Sequence, residues 1–177
     1  MTVAGTTAPV ARSGVDLLGI YLNDHLAGAT AGVELARRAA GLHGHTDAGS
    51  ALRQFAAEVT QDRAALLDMM AALGVPVRSY KVYAAWIGEK AGRLKLNGRL
   101  LSRSPLSSLE ELEMMRLAVE GKAAGWRTLR TLAGTGSRLD AGRLDELIAR
   151  AGSQADMLEE LRVRAAEELL TTERGSR

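Results

Sequence analysis

The chain contains no cysteine, which excludes disulfides and thiol chemistry of any kind. Its three histidines all occur by His45, so no later residue can supply an imidazole to a catalytic or metal site. No run of about 18 apolar residues appears, and no membrane-spanning helix is expected. The first thirteen residues, MTVAGTTAPVARS, lack the apolar stretch of a secretory signal and read as a flexible arm. The expected location is therefore the cytoplasm. Runs of β-branched residues bounded by turns are also scarce, which argues against a sheet.

What the chain has is Ala, Leu, Glu and Arg at helical spacing. With 177 residues it can form one core-bearing domain. Four long helices are predicted. The first spans 14–42, with Leu18, Leu22, Ala29, Val33, Ala36 and Ala40 on one stripe. The second spans 49–73 on Leu52, Phe55, Val59, Leu66, Met70 and Leu73, with Gly74 and then Pro76 stopping it. The third starts near Ser107 or Ser108, either of which can cap it, and runs to about 133. The fourth runs from about Asp140 to 170 on a stripe that includes Leu144, Leu147, Ala151, Leu158 and Leu169. The expected organisation is an arm over 1–13, one helical domain over 14–170 and a flexible tail over 171–177.

Connection lengths give a topology. HGHTDAG and GTGSR are short enough to make two antiparallel hairpins. Residues 74–106 are long enough to run the length of a bundle, with a short helix expected near 80–92. In helix count, helix length and crossover position, residues 14–170 resemble the ferritin-like superfamily. That resemblance implies an all-α, ferritin-like four-helix bundle in which the second and third helices run parallel and Trp86 is partly covered. Members that work on iron or manganese carry an inward Glu on each of two helices and Glu-x-x-His on each of the other two. Here the second helix offers EVTQ, in which Glu58 matches and Gln61 does not. The fourth offers DMLE, Asp156 to Glu159, which meets neither end of the motif. Glu34 and Glu113 or Glu120 would be the remaining counterparts.

Facing argues against a metal cage. At about 100° per residue, Glu34 lies opposite the apolar stripe of its helix. Glu113 and Glu120 share an ion-pair face with Arg116 and Arg127, and Glu58 sits at the edge of its polar face. No metal and no cofactor are expected; if a metal were present, Glu58, Asp62 and His25 would be its ligands. The polar residues inside the stripes are His25, Asp62, Lys122 and Arg162. Counting back from the first hairpin puts His25 and Asp62 near one level, and a third helix parallel to the second, as the crossover implies, brings Lys122 there too; a carboxylate held there needs a cationic or imidazole partner. These three form the candidate site.

Weaker signals have ordinary readings. His43, His45 and Asp47 fall in a hairpin turn, and GTGS at 134–137 lacks the strand and the Gly-Lys-Ser/Thr ending of a phosphate loop. Gly28, Gly32, Gly121 and Gly125 are expected to let helices approach closely. Met69, Met70, Met114 and Met115 are expected to fill core space. Charge is uneven: residues 78–103 hold seven basic side chains against Glu89 alone. With Tyr80, Tyr83 and Trp86 beside Arg93, Lys95, Arg99 and Arg103, that segment suits a membrane surface or an acidic partner. Nothing marks a specific nucleic-acid reader.

The functional expectation is a ferritin-like bundle without a complete di-iron site, non-catalytic, acting by association, with a homodimer the expected oligomer. Two alternatives stand beside it. One is a di-iron carboxylate oxidase or iron-handling protein with atypical ligands; the other is a small-ligand binder using the polar pocket between the helices.

Overall fold

The computed structural model describes residues 14–44, 47–78, 105–134 and 137–175. Within them the protein is all-α, with four helices: α1 (Gly14–Leu42), α2 (Asp47–Ala72), α3 (Pro105–Leu132) and α4 (Ala141–Gly175). The expected arm, the helix near 80–92, Trp86 and all of the basic segment except Arg78 lie outside the described residues.

Each helix buries the stripe that its spacing marks. Leu22, Val33 and Ala36 of α1 join Leu52, Phe55 and Met70 of α2 in one core. Met115, Val119 and Trp126 of α3 and Leu144, Leu147 and Leu158 of α4 complete it. At about 25 cal/mol per Å² of apolar surface removed from water, such burial is the main force holding four polar-faced helices together.

The helix ends follow local chemistry. Gly74 adopts φ 69°, a left-handed conformation that a side chain would strain. Its N–H donates to Ala71 O, and the N–H of Val75 donates to Met70 O, closing α2 in a Schellman motif. Val75 then enters the core. Asn23 of α1 fixes the chain beyond it: its amide donates to Pro76 O and its Oδ1 accepts from the N–H of Arg78. Asp140 caps α4 through a bond from the N–H of Arg143 to its Oδ1.

Three ends differ from expectation. The second helix begins at Asp47, inside the expected hairpin turn, rather than at 49. The third helix begins at Pro105 rather than near Ser107. Proline suits a first helical turn because its missing N–H would have no intrahelical partner there. The fourth continues through Gly175, past the end expected near 170.

Packing is most extensive between α1 and α2 and between α3 and α4, with narrower seams joining α1 to α3 and α2 to α4. Tyr21 donates to Thr128 on the α1/α3 seam, where His25 meets Gly125. On the α2/α4 seam Glu58 meets Gln154 and Asp62 meets Arg150. On the α3/α4 seam Arg116 meets Glu159 and Arg130 meets Asp145. In every case residue numbers rise along one helix as they fall along the other. No described helix is long and apolar enough to cross a membrane.

Candidate functional site

Asp62 occupies an α2 position flanked at helical spacing by Val59 and Leu66, and it is 3% exposed. A charge so placed needs partners. Lys122 of α3 supplies one, its Nζ 2.5 Å from Asp62 Oδ2. Arg150 of α4 supplies the other, with Nη2 on Asp62 Oδ1 and Nη1 3.1 Å from Gln61 Oε1. The Lys122 ammonium also donates to Gln154 Oε1. Gln154 in turn donates from Nε2 to Glu58 Oε2 at 2.8 Å, and Gln54 donates to the other Glu58 oxygen at 2.8 Å. Burial pushes Lys122 below its usual pKa, against the opposing pull of Asp62.

Every oxygen of Glu58 and Asp62 is thus already an acceptor. A metal ion here would have to displace Lys122 and Arg150, two cations, from the best carboxylate. Among the described residues, no group of three or more His, Asp or Glu side chains is arranged to hold a metal. Gln61, standing where a di-metal protein has histidine, takes a hydrogen bond from Arg150. Glu34, Glu113, Glu120 and Asp156 are exposed. Glu159 is held by Arg162, which lowers its pKa, and Arg162 itself reaches out toward Glu113 at 3.8 Å. The described part of the hairpin turn includes His43; His45 lies outside it.

The structure brings Lys122 to Asp62 as the spacing implies, but sets His25 apart from them. The His25 ring rests against Gly125, where an added Cβ would lie 3.0 Å from it. It meets Tyr21 edge-on, with ring centroids 4.5 Å apart. Burial lowers its pKa, opposed by the charge of Asp24.

What joins His25 to Asp62 and Lys122 is a cavity of about 470 Å³ between α1 and α3, floored by α2. Ligand cavities commonly span about 300–1,000 Å³. Its walls are apolar, with Phe55, Val59, Leu66, Met115 and Val119 among them. Gly28, Gly32, Gly121 and Gly125 are among the lining residues, and Gly28 and Gly121 are exposed, so the space is open to solvent on that side. An added Cβ at Gly28, Gly32 or Gly121 would meet nothing within 4 Å. These three do not bring helices together as expected; only Gly125 makes a close approach. The α1/α3 seam is narrower than those of the two hairpins; Tyr21 and His25 make contact across it, and Gly28, Gly32 and Gly121 border the cleft.

Sequence reasoning passed over three members of this site. Gln154 and Arg150 flank Ala151 in the apolar stripe of α4, and Gln154 is 2% exposed. Their positions mark them for inspection, as the same spacing marks Asp62. Trp126 is 3% exposed and lines the cavity, and its indole Nε1 has no hydrogen-bond partner among the described residues. Amphipathic spacing predicts a buried tryptophan there but not an unsatisfied N–H.

No family model, curated protein or solved structure matches the chain.

Proposed function

We propose that this chain is a non-catalytic, ferritin-like bundle that holds a small apolar molecule in the cleft between α1 and α3. The cavity is the observation that carries the reading: about 470 Å³ of largely apolar-walled space bordered by Gly28, Gly32 and Gly121. Apolar walls with a few convergent polar groups are the usual makeup of a small-molecule site. The ferritin-like arrangement is supported by the seams. Both α2 and α3 run opposite to α4 in residue number, which makes them parallel to each other, as a long connection over 73–104 requires. The absence of redox chemistry is supported by the saturation of Glu58 and Asp62 with cations and amides.

Self-association is the second part of the proposal, favoured by a stripe on α3. Leu106, Met114 and Leu117 share one face at helical spacing and are 45%, 44% and 65% exposed. A homodimer through this face is testable by sedimentation, with Leu117→Glu returning the protein to monomer.

The test of binding is titration of the full chain with N-phenyl-1-naphthylamine, an uncharged apolar fluorophore. One molecule should bind per chain. Gly121→Leu, which places a side chain in the open space, should weaken binding at least about ten-fold while the thermal transition remains cooperative. Equal binding by the variant and the parent would remove the cleft as the site.

A further inference from the structure

Midway along the cleft the apolar lining is interrupted by Lys122 on the α3 wall and Asp62 on the α2 floor. The 2.5 Å bond from Lys122 Nζ to Asp62 Oδ2 therefore joins two residues that border the same space. The Lys122 side chain is 16% exposed and that of Asp62 only 3%, so the lysine is the more accessible member. Register across the α1/α3 seam puts room beside it. His25 meets Gly125, and the two helices run antiparallel. Counting one turn from that contact sets Gly28 opposite Lys122, and two turns set Gly32 opposite Ala118. Neither glycine has a neighbour within 4 Å of an added Cβ. Gly121, next to Lys122, is exposed and equally open.

A lysine so placed has the makings of a nucleophile. Burial lowers its pKa, and the nearby Arg150 cation pushes the same way, against the pull of Asp62 and Glu58. Desolvation and a second cation are the two devices that make a lysine amine reactive toward carbonyl groups near neutral pH. Charge balance selects the same chemistry. Lys122 and Arg150 oppose Asp62 and Glu58 within one network, bonded directly or through Gln154. A charged ligand set against that network would leave one buried charge unpaired. An uncharged carbonyl compound can join Lys122 with the count of charges unaltered.

Resting on the reading that the cleft holds an apolar molecule, we propose that this molecule is an apolar aldehyde and that Lys122 Nζ holds it as an imine. Asp62 first takes a proton from the ammonium, which frees the nitrogen lone pair. The nitrogen adds to the carbonyl carbon as the C=O π bond opens, and a proton passes from nitrogen to the new alkoxide oxygen. Asp62 then returns its proton to that hydroxyl, which leaves as water while the nitrogen lone pair completes a C=N bond. An ammonium and an aldehyde have become a protonated imine and water, with no change in net charge and nothing oxidised or reduced. The protonated imine keeps one N–H for Asp62 and gives up the bond to Gln154 Oε1, while Gln154 Nε2 still holds Glu58. Arg150 stays on the other Asp62 oxygen. The apolar remainder of the aldehyde lies along Gly28, Gly32, Met115 and Ala118, which border the cleft.

The experiment incubates the full chain near neutral pH with 2-naphthaldehyde and sodium cyanoborohydride, which reduces iminium ions in preference to aldehydes. Adducts are then mapped by mass spectrometry after trypsin. The chain has four lysines, and a naphthylmethyl group on Lys122 is carried by the peptide Leu117–Arg127, which separates it from the other three. Lys122 should label at least about ten-fold faster than Lys81, Lys90, Lys95 or the terminal amine, because binding concentrates the aldehyde at its nitrogen. 2-Methylnaphthalene, which cannot form an imine, should displace N-phenyl-1-naphthylamine and suppress labelling at Lys122 alone. Lys122→Arg should lose the fast label and still bind the fluorophore. Labelling of Lys122 no faster than of the other amines, with 2-methylnaphthalene still displacing the fluorophore, would overturn the imine and leave the cleft as an apolar site. Fast labelling that 2-methylnaphthalene does not suppress would also overturn it, since the reaction would not pass through the cleft. Failure of the naphthyl compounds and the fluorophore alike to bind would overturn the binding reading and this inference with it. The mapping uses the unsubstituted chain, so the test survives a Lys122→Arg variant that does not fold.

Discussion

Lys122 and Asp62 meet across a diagonal of the bundle, between helices α2 and α3 that otherwise share no seam. Their side chains are 16% and 3% exposed, so the pair is largely withdrawn from water. Arg150 completes the carboxylate's second bond from the opposite corner.

Unequal partners predict unequal mutational costs. Asp62→Leu strands two cations and should cost about 3–5 kcal/mol. Lys122→Met leaves Asp62 paired with Arg150 and should cost less, about 1–3 kcal/mol. The double variant should be more stable than the sum of the single effects by at least about 1 kcal/mol. Urea unfolding of all four proteins measures this, and strict additivity would show the two residues to be uncoupled.

The glycines predict opposite signs at neighbouring positions. Alanine at Gly28, Gly32 or Gly121 meets open space and should stabilise the protein by about 0.5–1 kcal/mol through backbone entropy. Alanine at Gly49 would drive its Cβ into His43 O, so the backbone must shift and stability must fall. Alanine at Gly125 should fall between, since the His25 ring at 3.0 Å can turn aside. Melting temperatures rank the five variants, and a Gly121→Ala protein as unstable as Gly49→Ala would mean that the cleft is filled.

How much of this was legible in the sequence depends on the kind of interaction. The helices could be read because apolar spacing and stop signals such as Gly74 are local. Asp62 and Lys122 could be paired because the hairpin geometry and the crossover together place them near one level. The separation of His25 from them could not, since it depends on Gly125 leaving room for an imidazole on the neighbouring helix. Nor could the cleft. The pattern of Gly28, Gly32 and Gly121 is the same whether helices close over glycines or leave a gap between them, and the outcome depends on how closely α1 approaches α3. Arg150 and Gln154 were readable in principle, being polar residues beside or within an apolar stripe, and became recognisable once Asp62 required more than one donor.

His25 makes stability depend on pH in a definite direction. Its folded-state pKa lies below the ordinary value of 6.5 because of burial. Between those two values the unfolded chain binds more protons than the folded one, so stability should fall as pH drops through 6.5 and level off below the folded-state pKa. In His25→Gln the decline through that window should be shallower. Denaturation midpoints at closely spaced pH values from 7.5 to about 5 provide the comparison, and identical slopes would show that His25 does not contribute.

The polar cluster predicts a protein indifferent to metals. Elemental analysis of material purified without chelator should give iron, manganese and zinc well below one per chain, and added metal should not raise the melting temperature. Two ions about 3.5–4 Å apart between the helices would contradict the assignment and make Glu58, Asp62 and His25 ligands.

The central claim is that the space between α1 and α3 is open and apolar, and xenon reports such space directly because it occupies apolar cavities without needing a specific contact. Diffraction from crystals of the full chain held under xenon should show the gas bound between Gly28 and Gly32 on one side and Met115 and Gly121 on the other. Helices closed together there, with side chains in van der Waals contact and no bound xenon, would contradict it.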